Sequence, residues 1–355
     1  MLQCSANTLR LLDALERQID AQVELDYQKQ WEDFLFDRFD GDIFVPNRKK
    51  KIEKPDFPAI NINDAVENQE WMLLSELGGV ASALAGNGVP CVRANYGTAI
   101  LSSLFGAEMF MMPYETNTLP TSRPLGGTDQ IRALLDKGMP DLNAGLGAKV
   151  FAMGECFAEV FEHYPNIKQF VTVYHPDTQG PLDICELLWG CEMFYAMYDE
   201  PELVHALLQL VTDTYKAFMD QWLSLFPPKG EFRAHWSNIM HRGVIMLRND
   251  SAMNISPEQY AEFARPYDAQ LLDHYGGGAI HFCGRGDHYI SRMCDIPGLF
   301  GVNITQPHLN DMETIYRFTV DRGIKLLGMK TEYAQLIRQG LARPGGFSGN
   351  LNMNG

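Results

Sequence analysis

The sequence predicts an α/β fold, a TIM (β/α)8 barrel with an N-terminal helical extension. From residue 66 onward, segments with helical spacing of apolar residues alternate with short runs rich in Val, Ile and aromatic residues. Many of these runs end in Gly, Asp or Asn, as the strands of βα units do. Hydrophobic residues make up 46% of the 355 residues, which is enough to fill one large core. An open, doubly wound sheet is the alternative arrangement.

The predicted strands are nearly continuous apolar runs, as expected of parallel strands that are buried on both faces. They cover residues 89–97, 169–180, 244–250, 279–284, 299–306 and 324–330. The clearest helix runs from Glu200 to about Leu225, where two prolines end it. A second helix begins at Ser256, whose hydroxyl can cap it, and Gln259 completes a capping-box pattern.

Three regions follow one another along the chain. Residues 1–60 are predicted to form a helical extension and linker, because residues 5–39 carry apolar side chains at helical spacing before a basic, proline-broken connector. Residues 61–343 are predicted to form the barrel. Residues 344–355 are rich in Gly and Asn and are expected to form a flexible tail.

The charge of the chain excludes some classes of partner. With 45 acidic and 29 basic residues, the formal charge is −16, which disfavours nucleic acids and anionic membranes and leaves a small-molecule substrate. No stretch approaches the roughly 18 continuous apolar residues of a membrane-spanning helix. The first residues also lack the basic start and apolar centre of a signal peptide, so we expect a cytoplasmic protein.

The seven cysteines are more typical of free thiols or metal ligands than of a disulfide framework. Because free cysteine is among the most buried residue types, we expect most of them to be small core residues. This expectation covers Cys4, Cys91, Cys156, Cys185 and Cys191.

The strongest local signal for chemistry is the pair His281 and Cys283. Residues two apart on a strand point to the same side, so an imidazole and a thiolate would lie together at a strand end, where barrel active sites form. Zinc binds this pair of donor atoms well. The structural alternative is a hydrogen-bonded histidine beside a packed thiol. A catalytic zinc usually takes three protein ligands, and the candidates for the third are Cys294, His288, Asp250 and Glu332.

Other polar residues at predicted strand ends are candidates for binding substrate. Asp250 could hydrogen-bond substrate NH groups or orient His281, although aspartate is also a common turn residue. Tyr96 and Asn95 could line a pocket. The remaining candidates are the turn of Gln179 and Gly180, which leads into a helix N-terminus suited to an anion, and the possible carboxylate ligands Arg93, Arg248 and Arg285. Each arginine could equally serve in a structural ion pair.

Four stretches carry a family resemblance. In order, they are VPCVRANYGTAILSSLFGAE, TQGPLDICELLWG, LRNDSAMNISPEQYAEFARPY and IHFCGRGDHYI. With these stretches, about residues 60–340 resemble the uroporphyrinogen decarboxylase superfamily, which includes cobalamin-dependent methyltransferases. The decarboxylases carry an arginine-rich motif, M-R-Q-A-G-R, that has no counterpart in residues 1–90, whereas the H-x-C-G step looks like that of the zinc methyltransferases.

The resemblance implies a TIM barrel in which His281 and Cys283 ligate zinc. The zinc methyltransferases take their third ligand from a cysteine near the last barrel strand, where this chain has IKLLGMKTEY and no cysteine. The resemblance also implies a mechanism in which zinc lowers the pKa of a substrate thiol and presents the thiolate to methyl-cobalamin on a partner corrinoid protein. Tyr96, Gln179 and Asp250 would line the pocket, with His281, Asp250 and Tyr96 in catalytic roles. The superfamily often forms homodimers.

Two other functions are alternatives to methyl transfer. The first is a decarboxylase of a uroporphyrinogen-like tetrapyrrole or another carboxylic acid, in which Asp250 pairs with pyrrole NH groups, an arginine holds the acid and no metal is needed. The second is a protein that binds a corrinoid or tetrapyrrole without catalysis.

Overall fold

The structure is a computed structural model that describes residues 4–330, 343 and 345–354. Its strands are β1 Ile43–Phe44, β2 Cys91–Val92, β3 Met109–Phe110, β4 Thr121–Ser122, β5 Thr172–Val173, β6 Phe232–His235, β7 Ile239–Arg242, β8 Ile245–Arg248, β9 Gly278–Phe282, β10 Leu299–Ile304, β11 Lys325–Met329 and β12 Leu351–Met353. Its helices are α1 Ala6–Gln18, α2 Ala21–Leu35, α3 Ile62–Glu67, α4 Gln69–Leu84, α5 Ile100–Leu104, α6 Thr128–Lys137, α7 Gly147–Glu162, α8 Pro165–Phe170, α9 Pro181–Trp189, α10 Glu192–Asp199, α11 Pro201–Leu225, α12 Pro257–Gln259, α13 Arg265–His274, α14 Ile290–Met293 and α15 Met312–Phe318.

Parallel strands form the centre of the fold. Six of them make one sheet in the order β1-β12-β11-β10-β9-β8, and β2 pairs in parallel with β5 in a second, two-stranded sheet. Within the six-stranded sheet, β8 to β12 lie side by side in chain order, and β12 also pairs with β1. The predicted α/β class is therefore confirmed, and the arrangement is consistent with a TIM-like fold. Among the described residues, no backbone ladder is detected from β1 to β2 or from β5 to β8.

The side chains of alternate strand residues divide the interior into two apolar clusters. One cluster lies between the strands and the surrounding helices. The other collects residues of opposite orientation from five of the central strands, together with the hairpin of β6 and β7 and aromatic residues of α2. The strand members of this inner cluster are Phe44, Cys91, Met246, Ala279 and Leu327. The hairpin and α2 thus complete this apolar cluster together with the strand residues.

Most predicted elements are confirmed, although their strands are shorter than the apolar runs. Each of the six predicted strands overlaps an observed one, and the predicted helix at 200–225 is α11. Ser256 caps α12 in a complete capping box with Gln259, after which the chain passes through a π-helical turn into α13. The N-terminal extension contains the expected helices, α1 and α2.

Two features of the chain ends differ from expectation. The prediction of a flexible tail is wrong for Leu351–Met353, which form the buried strand β12 between β1 and β11. Strand β1 comes from the predicted extension, so that segment also contributes to the central sheet. The boundaries at residues 60 and 343 stay predictions.

The cysteines are free thiols in the structure. Cys91, Cys156 and Cys185 are buried as predicted, and Cys4 is half-buried. The prediction is wrong for Cys191, which is exposed because it lies at the surface end of α10. Within the described ranges, no helix combines the length and apolar character needed to cross a membrane.

Candidate metal site

Three neighbouring donor groups meet at the carboxyl ends of β8 and β9. Asp250 follows β8, His281 is the penultimate residue of β9, and Cys283 follows β9. One donor atom from each lies within 4.8 Å of the other two. Cys283 Sγ is 3.4 Å from His281 Nε2, and Asp250 Oδ1 is 3.6 Å from the same nitrogen. The structure therefore brings the predicted pair together and places Asp250 beside it.

These distances suit a tetrahedral metal ion. With metal–sulfur bonds of about 2.3 Å and metal–nitrogen or metal–oxygen bonds of about 2.0 Å, the edges of a tetrahedron are about 3.5 Å from sulfur to nitrogen and about 3.3 Å from nitrogen to oxygen. The observed separations match these edges to within a few tenths of an ångström. The His281 side chain is 5% exposed, whereas that of Asp250 is 40% exposed, so the cluster opens to solvent on the carboxylate side.

The neighbouring strand orients the imidazole of His281. Asn303 on β10 pairs with His281 in the sheet, and its Oδ1 accepts a hydrogen bond of 2.6 Å from Nδ1. The Asn303 amide donates in turn to the carbonyl of Leu327 on β11, which fixes which end of the amide faces the imidazole. Because Nδ1 carries the hydrogen, the lone pair of Nε2 faces Cys283 and Asp250. Burial lowers the pKa of His281, against the opposing effect of Asp250, so the ring is neutral at pH 7.

The thiol of Cys283 is protonated in the metal-free protein. Burial, followed by the nearby charge of Asp250, raises the pKa of this thiol to about 11. The backbone N–H of Cys283 donates to Asp250 Oδ1 at 2.6 Å, which fixes the carboxylate against the end of β9. Thr305, which follows β10, lies 3.6 Å from the sulfur. A metal ion binding here must therefore displace the thiol proton.

A buried carboxyl group supports the loop that carries Asp250. Asp183, near the start of α9, accepts hydrogen bonds from the backbone N–H groups of Asp250 at 3.1 Å and Ser251 at 2.8 Å. The hydroxyl of Ser251 donates to Glu186 of the same helix. Burial, with the charge of Asp250, raises the pKa of Asp183 to about 8. Helix α9 thus holds the loop against the end of β8.

Two of the predicted carboxylate ligands, Arg93 and Arg248, share one buried carboxylate of the protein. Arg93 Nη1 and Arg248 Nε each lie 3.2 Å from Asp177, on different oxygens. All three side chains are at most 10% exposed. Burial alone would raise the pKa of Asp177, but the two guanidinium groups lower it. The geometry of these arginines therefore favours a structural ion pair, which the sequence left open, over binding of a substrate carboxylate.

The predicted turn of Gln179 and Gly180 lies beside the same carboxylate, that of Asp177. Gln179 has a positive φ of 60° and donates to Asp177 Oδ1 at 2.6 Å. A Cβ atom on Gly180 would lie 2.0 Å from the backbone oxygen of Arg248, so only glycine fits there. The turn therefore packs against the end of β8 rather than standing free in a pocket.

The remaining predicted substrate residues are not members of the donor cluster and contact other groups. Tyr96 is buried, and burial, with the neighbouring Cys156 of α7, raises its pKa to about 12. The Asn95 amide donates to the buried carboxyl of Glu76 in α4. Arg285 is on the surface and pairs with Asp287 at 2.7 Å.

The other candidates for a third ligand are His288, Cys294 and Glu332. His288 hydrogen-bonds the carbonyl of Ile255, and Cys294 is buried in the outer apolar cluster. Glu332 lies outside the described residues. Of the described candidates, Asp250 is the one that the geometry joins to His281 and Cys283.

Sequence reasoning missed several residues that build the site. Asn303 and Thr305 lie two residues apart at the end of β10, as His281 and Cys283 do at the end of β9. This repeated spacing at neighbouring strand ends could have identified them. Trp236, whose ring meets that of His281 edge-on with centroids 4.9 Å apart, carries no such signal. It reaches the site only because the β6–β7 hairpin folds into the interior.

Comparisons with known proteins show a likeness in fold. No family model matches the sequence, and no curated protein matches it. A solved structure of similar fold is a methyltransferase from Methanosarcina mazei, with a TM-score of 0.59 and 16% sequence identity over 82% of this chain and 80% of the other. At this identity the likeness concerns the fold alone. The class that fold and site define together is a TIM-like α/β protein with a candidate metal site at its strand ends.

Proposed function

We propose that this chain is a zinc-dependent methyltransferase of the uroporphyrinogen decarboxylase superfamily, with its eight parallel strands arranged as a barrel. The observation that carries the proposal is the meeting of Asp250, His281 and Cys283 at adjacent strand ends, with separations that suit a tetrahedral ion. The similar fold of the methyltransferase from Methanosarcina mazei supports it. Asp250 takes the place of the family's third cysteine.

Each of the three donor side chains would have a distinct role in holding the metal. Asn303 keeps the lone pair of His281 Nε2 directed into the cluster, and Cys283 supplies sulfur once its proton has left. Asp250 lies on the solvent side, where it would ligate the metal and leave a path for a substrate thiol. When bound, zinc supplies a Lewis acid that lowers the pKa of such a thiol, and the methyl group would come from a corrinoid carried by a partner protein.

Decarboxylation is less well supported by the contacts. That reaction needs a cation to hold the substrate carboxylate, and Arg93 and Arg248 both face Asp177 instead. Arg285 pairs with Asp287 on the surface. The geometry thus offers a metal site more readily than a pocket for an organic acid at this end of the strands.

Metal analysis of the purified protein tests the proposal. We expect about one zinc ion per chain, lost in Cys283→Ser and strongly reduced in Asp250→Asn. Cys191→Ser is the matched control, because it removes an exposed thiol outside the site. The zinc-loaded protein should then demethylate free methylcobalamin in the presence of 2-mercaptoethanol, followed by the corrin absorbance. Equal zinc loss in the Cys191 and Cys283 variants, or a protein that never retains zinc, would overturn the proposal.

A further inference from the structure

A second candidate site lies beside β5 and β8, towards the ends of the strands opposite the donor cluster. A cavity of about 450 Å³ opens there between the ends of α7 and α11, the helix α8 and the β6–β7 hairpin. Val244, which precedes β8, and Thr172, which begins β5, both line it. Asp250 and Cys283, by contrast, follow the carboxyl ends of their strands. The cavity has the volume of a typical small-molecule site.

The walls of this cavity include several aromatic side chains. Phe161 at the end of α7, Trp222 and Phe226 at the end of α11, and Phe232 of β6 all line it. Such flat apolar walls favour a flat apolar body between them, since aromatic pairs add to the free energy of burying apolar surface. The walls therefore indicate an aromatic ligand.

The charge of the lining is opposite in sign to that of the whole protein. Lys168, Lys229 and Arg233 line the cavity against one acidic residue, Glu162, while the chain carries a formal charge of −16. Lys168 already neutralises Glu162 at a distance of 2.5 Å. The lining thus keeps a net positive charge, which would attract an anion.

Arg233 is the cation best placed to bind that anion. Its guanidinium donates to the backbone oxygens of Lys229, Gly230 and Phe232, and within the described part of the chain it has no carboxylate partner. Its partial burial lowers the pKa of Arg233. A half-buried guanidinium without a counter-ion is costly, and a planar carboxylate would supply two matching acceptors.

His241 provides an independent second observation. It is fully buried, lines the same cavity, and its Nε2 has no hydrogen-bond partner among the described residues. Nδ1 lies 3.1 Å from the backbone oxygen of Arg242 and donates to it, so Nε2 is left as an acceptor. Burial lowers the pKa of His241 to about 4, which keeps the ring neutral at pH 7. The free acceptor calls for a donor such as a hydroxyl group.

Arg233 and His241 are direct partners across the hairpin. Opposite residues of an antiparallel pair have Cβ atoms about 5 Å apart, so one small molecule can reach both side chains. We propose that this cavity binds a small aromatic carboxylate that carries a hydroxyl group. Its ring lies between the aromatic walls, its carboxylate pairs with Arg233, and its hydroxyl donates to His241 Nε2.

Calorimetric titration with the three hydroxybenzoate isomers tests the proposal on the full chain. We expect at least one isomer to bind about 10-fold more tightly than its neutral hydroxybenzamide and than benzoate, which lacks the hydroxyl. Arg233→Met should abolish the preference over the amide, and His241→Phe the preference over benzoate. Arg242→Met is the matched control, since that guanidinium packs over Phe36 and Phe300 outside the cavity.

Two further variants keep the outcome decisive. Ala158→Phe fills the cavity from α7 without changing any charge, and it should abolish binding even if the Arg233 variant fails to fold. Cys283→Ser should leave binding unchanged, because the donor cluster is a different site. The proposal is overturned by the absence of saturable binding up to about 10 mM, by equal affinity for acid and amide, or by equal losses in the Arg233 and Arg242 variants. Loss of binding in Cys283→Ser would likewise overturn it by placing the ligand at the metal site.

Discussion

Replacing Asp177 by asparagine removes the carboxylate that lies between two buried guanidinium groups. Arg93 and Arg248 then lose the carboxylate that they share, although their side chains are only 7% and 2% exposed. Breaking a buried ion pair by removing one partner costs about 3–5 kcal/mol. We therefore expect Asp177→Asn to lower the free energy of unfolding by this amount at pH 7.

The loss can be measured as a change in melting temperature. An unfolding entropy of about 2.1 cal/mol/K per residue gives about 0.7 kcal/mol/K for a chain of 355 residues. The expected fall in Tm is thus about 4–7 °C by calorimetry. Asp295→Asn is the matched control, because its pair with Arg322 has side chains 47% and 39% exposed. Such a surface pair contributes less than about 1 kcal/mol.

The effect should also depend on pH with a definite sign. Because the folded protein lowers the pKa of Asp177, its contribution to stability is present above the unfolded pKa of about 3.9 and is lost as the pH falls through the folded value. The deficit of the variant should hold steady near neutrality and shrink in acid. A deficit below about 1 kcal/mol at pH 7 would refute the reasoning. It would return Arg93 and Arg248 to the role of substrate ligands.

Three more predictions follow from the same contacts. Because the Cys283 thiol has a pKa of about 11 and His281 is already neutral, zinc affinity should rise about 10-fold per pH unit from about pH 7 to 9, by chelator competition, and this slope should vanish in Cys283→Ser. Asn303→Leu should weaken zinc affinity by about 10- to 100-fold, and Asn303→Asp, which keeps an acceptor for Nδ1, by less. Gly180→Ala should cost about 1–3 kcal/mol in urea unfolding, whereas Gly79→Ala in α4, where nothing lies within 4 Å, should stabilise by about 0.5–1 kcal/mol; equal effects would contradict the close approach to Arg248.

The strands were predictable because parallel strands that are buried on both faces require long apolar runs in the sequence. The tail was not, because asparagine and glycine are typical of turns. In β12 the asparagine amides are satisfied by other groups: Asn352 Oδ1 accepts from the N–H of Gly328, and the preceding Asn350 accepts from Lys325. Leu351 and Met353, on either side of Asn352, belong to the apolar cluster between the strands and the helices. The alternation of apolar and polar residues marked a strand that composition concealed.

The candidate site was predictable in part for a similar reason. The two-residue spacing of His281 and Cys283 depends only on strand geometry, which the sequence reveals. The role of Asn303 depends on the register between β9 and β10, which places it directly beside His281. The third donor, Asp250, depends on a turn held by Asp183 from a distant helix. The partner that each of these residues meets is therefore set by register or by a remote helix, and neither follows from residue spacing alone.

The β6–β7 hairpin shows the limit of sequence reasoning most clearly, because its residues gave no sign of where it would lie. Its turn brings Trp236 edge-on to His281, and the guanidinium of Arg248 lies 5.1 Å from the Trp236 ring. The same hairpin carries Arg233 and His241 on the wall of the second cavity. One hairpin therefore packs against the imidazole of the candidate metal site and forms part of the wall of a separate cavity. The hairpin also contributes Ala234, Ile239 and Met240 to the inner apolar cluster, which is therefore not made by side chains of the central strands alone.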